Sequence, residues 1–317
     1  MNAAKRVNDP LHSAQVPDDW KKWQMGYELW TSPVTGYRRH GTRLSDFNEV
    51  LGGRTLASDI CEPLKCCAAG APADEMRTEL ERLDFTVAGV REIEGGPVIG
   101  FVESADLTHG EVRNHLHGLS EVTIIPRGSD ITTLLAILKY APFVFVEGEF
   151  GVDAILTLAD INKPMVRVYV FGLISLLEMH LSFWVAHNYA DGEWQQALSE
   201  ARLEFAEEVR RKRAALGQDL LLIQCLQICD KRTLVSRSIE IRDQLGLGSK
   251  TSCERFLRKV EALRDTLAHS QYDLAPNDDW NELLLLVEAI KSVIFRSDGR
   301  VENKALDSAA GFKGLLW

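Results

Sequence analysis

Apolar residues follow two rhythms along this chain. Between residues 55 and 162 they fall in short runs divided by polar turns. The pattern predicts a helix over 75–83, strands over 85–90 and 98–102, a second helix over 130–138, and strands over 143–146 and 154–156. That is an α/β order stated twice. From Pro164 onward strand signals nearly vanish, and helical spacing takes over at about 166–188, 194–215, 218–229, 234–244, 252–268 and 279–295. Thr251-x-x-Glu254 and Asp279-x-x-Glu282 carry capping-box spacing, and Gly246 and Gly248 punctuate the helices. The fold class expected is α+β and multidomain. It divides into an aromatic arm (1–54), an α/β pair (55–163) and an all-α bundle with a C-terminal tail (164–317).

The α/β part repeats itself. One strand ends in Val98-Ile99-Gly100-Phe101-Val102-Glu103-Ser104-Ala105-Asp106, the other in Ala154-Ile155-Leu156-Thr157-Leu158-Ala159-Asp160, so an Asp follows each strand by the same step. Where a strand turns into a helix, a threonine hydroxyl and free amides can hold a phosphate. An Asp three residues on can accept both hydroxyls of a ribose. These residues resemble the CBS domain pair. The match is close at Thr157 and Asp160 and weaker at Asp106, where Glu103 stands in place of the threonine and repels phosphate. The resemblance implies two pseudo-twofold units with an adenosyl ligand between them. That ligand is an adenine nucleotide (AMP, ADP or ATP) or a nucleotide second messenger, held at Thr157 and Asp160, with Asp106 as a second candidate. Without the resemblance, Thr157 and Asp160 read equally as a helix cap.

In the helical part the string of interest is Leu263-Arg264-Asp265-Thr266-Leu267-Ala268-His269. On an unbroken helix, residues five apart lie about 140° apart, so Arg264 and His269 converge only if the chain turns or the arginine reaches around. The string resembles the Arg-x4-His motif of HEPN domains, whose ribonuclease members are helical bundles. The resemblance covers 165–296 and implies catalytic roles for Arg264, Asp265 and His269, with Glu178 facing the site. It also implies a homodimer or higher oligomer that pairs two motifs. The residue types suit metal-independent RNA cleavage, in which the ribose 2′-OH attacks the phosphate. An imidazole, whose ordinary pKa is about 6.5, moves the protons. A guanidinium fork steadies the phosphorane. The products expected are a 2′,3′-cyclic phosphate and a 5′-OH. An arginine helix cap beside a surface histidine gives the same spacing without chemistry.

Composition narrows this only a little. The net charge is −10, divided −7 before residue 170 and −3 after it, which does not advertise a nucleic-acid binder. RNA contact would have to be local, at Arg210-Arg211-Lys212-Arg213 or at Arg255, Arg258 and Lys259. The six cysteines form no C-x-x-C pair, so free thiols in a reducing cytoplasm are expected, with no metal and no catalytic cofactor. Glu178 and His180 interrupt the long apolar stretch at 166–185, which reads as a buried core helix and not a membrane span. No apolar leader opens the chain. The arm's Trp20, Trp23, Tyr27, Trp30 and Tyr37 read as packing residues. The expected activity is an endoribonuclease governed by a nucleotide, with a stress or antiviral role by analogy. Two alternatives stay open. One is a non-catalytic nucleotide-sensing regulator that dimerises or docks a partner, with the apolar tail at 311–317 as a docking peptide. The other is the toxin half of a toxin–antitoxin pair.

Overall fold

The computed structural model describes residues 43–218, 220–269, 273–275 and 279–309. The aromatics of the arm from Trp20 to Tyr37, Asn277, Asp278 and the tail at 311–317 lie outside the described residues. By contact the chain forms two compact units. One holds 43–177 with 255–295, the other 178–254 with the described residues from 296.

The first unit contains eight strands in two four-stranded sheets. The strands are β1 (Glu62–Pro63), β2 (Cys66–Ala68), β3 (Val87–Arg91), β4 (Val98–Glu103), β5 (His117–Gly118), β6 (Ile124–Pro126), β7 (Phe143–Gly148) and β8 (Gly151–Thr157). The sheet orders are β1-β8-β7-β6 and β2-β3-β4-β5. Each sheet has two antiparallel pairings and one parallel pairing, β7 with β6 in the first and β2 with β3 in the second. The short strand that precedes each repeat leaves its own repeat and completes the sheet of the other. Glu62 pairs with Ile155 and His117 with Phe101, which makes Glu62 and His117 corresponding residues. Gly100 permits this exchange, because a Cβ there would lie 2.4 Å from the His117 carbonyl oxygen.

The helix α1 (Ala73–Arg82) packs Ala73 and Leu80 against Ala88, Val90 and Val102 of its sheet. Along β8 burial alternates, with Val152, Ala154 and Leu156 inward, as period-two patterning requires. The two sheets share a core in which Phe101 meets Phe143 and Phe145 edge-on, with ring centres 5.8 and 5.5 Å apart. The helix α2 (Ile131–Leu138) is capped by Asp130, whose carboxylate accepts the Thr133 amide at 2.9 Å.

The helices that follow are α3 (Pro164–Asn188), α4 (Glu200–Ala214), α5 (Ile228–Arg237), α6 (Ile239–Leu245), α7 (Lys250–Ala268) and α8 (Trp280–Ala309). Several expectations need correction. The helix expected over 194–215 is a 3-10 helix, Ala190–Ala197, followed by α4, and that expected over 234–244 is broken at Ser238 between α5 and α6. The helix expected over 218–229 is a single 3-10 turn, Leu222–Cys225, followed by the start of α5. The cap of α7 is Ser249, whose hydroxyl accepts the Ser252 amide at 3.2 Å, so Thr251 sits inside the helix. The last helix runs to Ala309, well past the expected end. Within 164–188, α3 is long and apolar enough to cross a membrane, and 61% of its apolar window is buried in protein.

The second unit is tied by polar contacts at full burial. Asp230, 2% exposed, takes a forked pair of bonds from Arg202, Nε at 2.7 Å and Nη2 at 2.8 Å. Ser297 accepts the Trp184 indole N–H at 2.7 Å and lies 2.6 Å from His180 Nδ1. The other ring nitrogen, Nε2, lies 3.7 Å from Asp298 Oδ1. Ser297→Ala strands two buried groups at about 1–3 kcal/mol each, and urea unfolding should show a loss of about that size. A change below ~0.5 kcal/mol would mean the network contributes nothing to stability.

Candidate functional site

The turn after β8 places the Thr157–Asp160 pair. The Thr157 amide donates to Asp160 Oδ2 at 2.7 Å, and its hydroxyl reaches the same oxygen at 3.2 Å. Asp160 is 7% exposed and closes the first turn of a 3-10 helix, Leu158–Asn162. Its other oxygen lies 2.8 Å from Lys163 Nζ. Lys163 also reaches Glu62 at 2.5 Å and the Ile60 carbonyl at 2.6 Å. Burial would lower the pKa of Lys163, but the hydrogen bonds to Asp160 and Glu62 outweigh it and hold the pKa above its ordinary value.

Glu62, Thr157 and Asp160 border a cavity of about 700 Å³, within the range of small-molecule sites. Its lining includes the apolar Pro63, Leu64, Phe85, Pro142, Ile155 and Leu158 and the polar Glu62, Lys65, Asp84, Thr86, Thr157 and Asp160. Asp84 is a left-handed residue at φ 58°, placed by the end of α1, where the Phe85 amide returns to the Leu80 carbonyl at 2.8 Å. A carboxylate offers about four acceptor sites, so Asp160, with three donors placed on it, retains capacity for a further hydroxyl.

The corresponding place in the first repeat is built differently. Asp106 Oδ2 lies 2.8 Å from His117 Nε2, and His117 Nδ1 lies 3.5 Å from Glu121. The imidazole stacks on Phe101 at 5.2 Å. The hydrogen bond to Asp106, opposed by partial burial and helped by Glu121, raises the His117 pKa. The structure therefore brings Thr157 and Asp160 together at a cavity, while Asp106 faces a histidine.

The other candidates lie elsewhere. The helix α7 is unbroken through Arg264, and the His269 amide still donates to the Asp265 carbonyl at 2.9 Å. The backbone thus sets Arg264 and His269 on faces about 140° apart within one chain. Arg264 is half-buried and turns its Nη1 to Asp265 Oδ1 at 2.9 Å, while His269 is exposed. Glu178 lies 3.5 Å from Lys231. In the basic run, Arg210 pairs with Glu207 and Lys212 with Glu208. Lys259 pairs with Glu282.

Sequence reasoning missed Glu62, Lys65, Asp84, Phe85, His117 and Lys163. Only Lys163 carried a local signal, as a lysine three residues after a carboxylate on a helical turn. The rest reach the site through strand exchange or from a loop.

No family model and no curated protein matches this chain. Several solved structures align with part of it at low scores. One is a CBS domain-containing protein of unknown function from Bacillus anthracis (12% identity, 36% of this chain, 94% of that one, TM-score 0.32). Another is the CBS domain of a bacterial CNNM/CorC family Mg2+ transporter in complex with ATP (18% identity, 38% and 92%, TM-score 0.31). A third is CBSX2 in complex with AMP (14% identity, 36% and 95%, TM-score 0.30).

The two repeats differ in how they respond to pH. Because the folded state raises the His117 pKa, its ion pair stabilises fully below about 6.5, the ordinary imidazole value. That contribution fades as pH rises through the folded value. The stability gap between wild type and His117→Gln should thus be wider at about pH 5.5 than at about pH 8.5 in urea unfolding. A gap independent of pH would mean that Asp106 and His117 do not pair as ions.

Proposed function

We propose that residues 55–163 form a CBS-type pair that binds one ribonucleoside phosphate, of the adenine class, at Thr157 and Asp160. The observation that carries this reading is the cavity of about 700 Å³ whose lining combines apolar side chains with the Thr157–Asp160 turn. The apolar lining suits a flat base, and Asp160 has capacity for a ribose hydroxyl. Lys65 in the lining and Lys163, held by Asp160, supply positive charge for phosphate. The corresponding place in the first repeat presents Glu103, Glu121 and a histidine-bound Asp106, which favours a single occupant. The adenine class follows from the resemblance to CBS pairs.

On this reading the helical part is the output, and we propose a HEPN-type endoribonuclease as that output. Exposed His269 supports it, since a general acid–base must reach substrate. With Arg264 and His269 on different faces of one helix, a working site would draw Arg264 from one copy and His269 from another. A homodimer is therefore part of the proposal. His269 would move protons between the 2′-OH, the phosphate and the leaving 5′-oxygen. Arg264 would release Asp265 to hold the phosphate.

Calorimetric titration of the full chain with AMP, ADP and ATP should give one site per chain. Asp160→Ala should weaken binding at least about tenfold, the loss of a charged hydrogen bond. Unaltered binding in a folded Asp160→Ala protein would refute the assignment. Separately, RNA incubated with the protein in EDTA should yield 2′,3′-cyclic phosphate ends at a rate that nucleotide changes. His269→Ala should lower that rate about 10²-fold or more. No cleavage with any nucleotide would refute the ribonuclease output and leave the sensor reading standing.

A further inference from the structure

The segment that leaves the cavity, residues 157–163, reaches beyond its lining. Thr157 to Asp160 border the cavity, and Lys163 is followed at once by α3. Between them Asn162, which does not border the cavity, turns its amide on a distant stretch of the same unit. Its Nδ2 donates to Asp273 Oδ1 at 3.1 Å, and its Oδ1 accepts the Leu274 amide at 2.9 Å. Asp273 Oδ1 in turn accepts the Ala275 amide at 3.0 Å. Leu274 and Ala275 are 6% and 2% exposed. These residues stand between the end of α7, where His269 lies, and the start of α8.

A side-chain amide that uses donor and acceptor together on one segment fixes both its distance and its direction. We infer that Asn162 is a positioning residue that carries the ligand state of the cavity to the connection between α7 and α8. The inference rests on the reading that the cavity binds a nucleoside phosphate. The physical route is short. A ribose on Asp160 and a phosphate near Lys163 compete with the Lys163–Asp160 and Lys163–Glu62 contacts. That alters the hold on a 3-10 turn whose last residue is Asn162. Such a ligand shifts the connection only as far as it binds one arrangement of that turn better than another.

The test reads the Leu274 amide by hydrogen exchange in the full chain, because that N–H is bonded to Asn162 itself. AMP should change Leu274 exchange about fivefold or more in wild type, the lower range of allosteric coupling. In Asn162→Ala the amides of Leu158 to Asp160 should still respond to AMP, and Leu274 should not. If those cavity amides respond in wild type while Leu274 does not, or if Leu274 responds equally in Asn162→Ala, the inference is overturned. If AMP changes no cavity amide, the binding reading has failed, and a ligand-free arm decides the coupling. Asp160→Asn loosens the same turn. It should change Leu274 exchange about fivefold or more in the wild-type background and not in Asn162→Ala. No difference between the two backgrounds overturns the coupling.

Discussion

The α/β unit depends on an exchange of two-residue strands. Each repeat gives up the strand before it, and each sheet is completed by the other repeat's strand. Neither sheet has all four strands within its own repeat, so the halves specify each other. Two residues per strand add few hydrogen bonds, but the exchange sets which side chains face which turn. Glu62 is delivered beside Asp160, and His117 beside Asp106. The buried Phe101 and Phe145 and the half-buried Phe143 hold the two sheets at that register.

One backbone plan thus produces two chemically different places. At the second repeat a carboxylate is held by its own capping amide and by a lysine that also reaches across to β1. At the first, glutamate replaces threonine, and the Asp is answered by an imidazole with Glu121 behind it. The difference lies in side chains and not in the topology. At the second place Lys65 and Lys163 stand among Glu62, Asp84 and Asp160, and at the first His117 stands between Asp106 and Glu121.

Much of this architecture was legible in the sequence. A short apolar run at 154–156 marked the middle of β8, and the common step from strand to Asp marked the repeat. Helical spacing marked the change at Pro164. What stayed hidden has physical causes. Strands of two or three residues, such as β1, β5 and β6, are too short to show a period. The partners of β1 and β5 lie in the other repeat, so Glu62 and His117 carry no local signal for their roles. At 218–229 the apolar residues Leu220, Leu221, Ile223 and Leu226 suit a helix, but the chain makes one 3-10 turn and then starts α5 at Ile228, where the Asp230 carboxylate accepts the Gln227 amide. The Arg264–His269 spacing showed a motif, and the unbroken α7 shows that one chain separates the two side chains by direction.

The central claim is that Asp160, and not Asp106, receives the ligand. A crystal structure of the protein grown with AMP tests it most directly. The account predicts one nucleotide per chain in the cavity beside β8, its ribose hydroxyls on Asp160 and its phosphate near Thr157 and Lys163. A nucleotide seated at Asp106 with His117 displaced, or one bound away from Thr157 and Asp160 altogether, would contradict it.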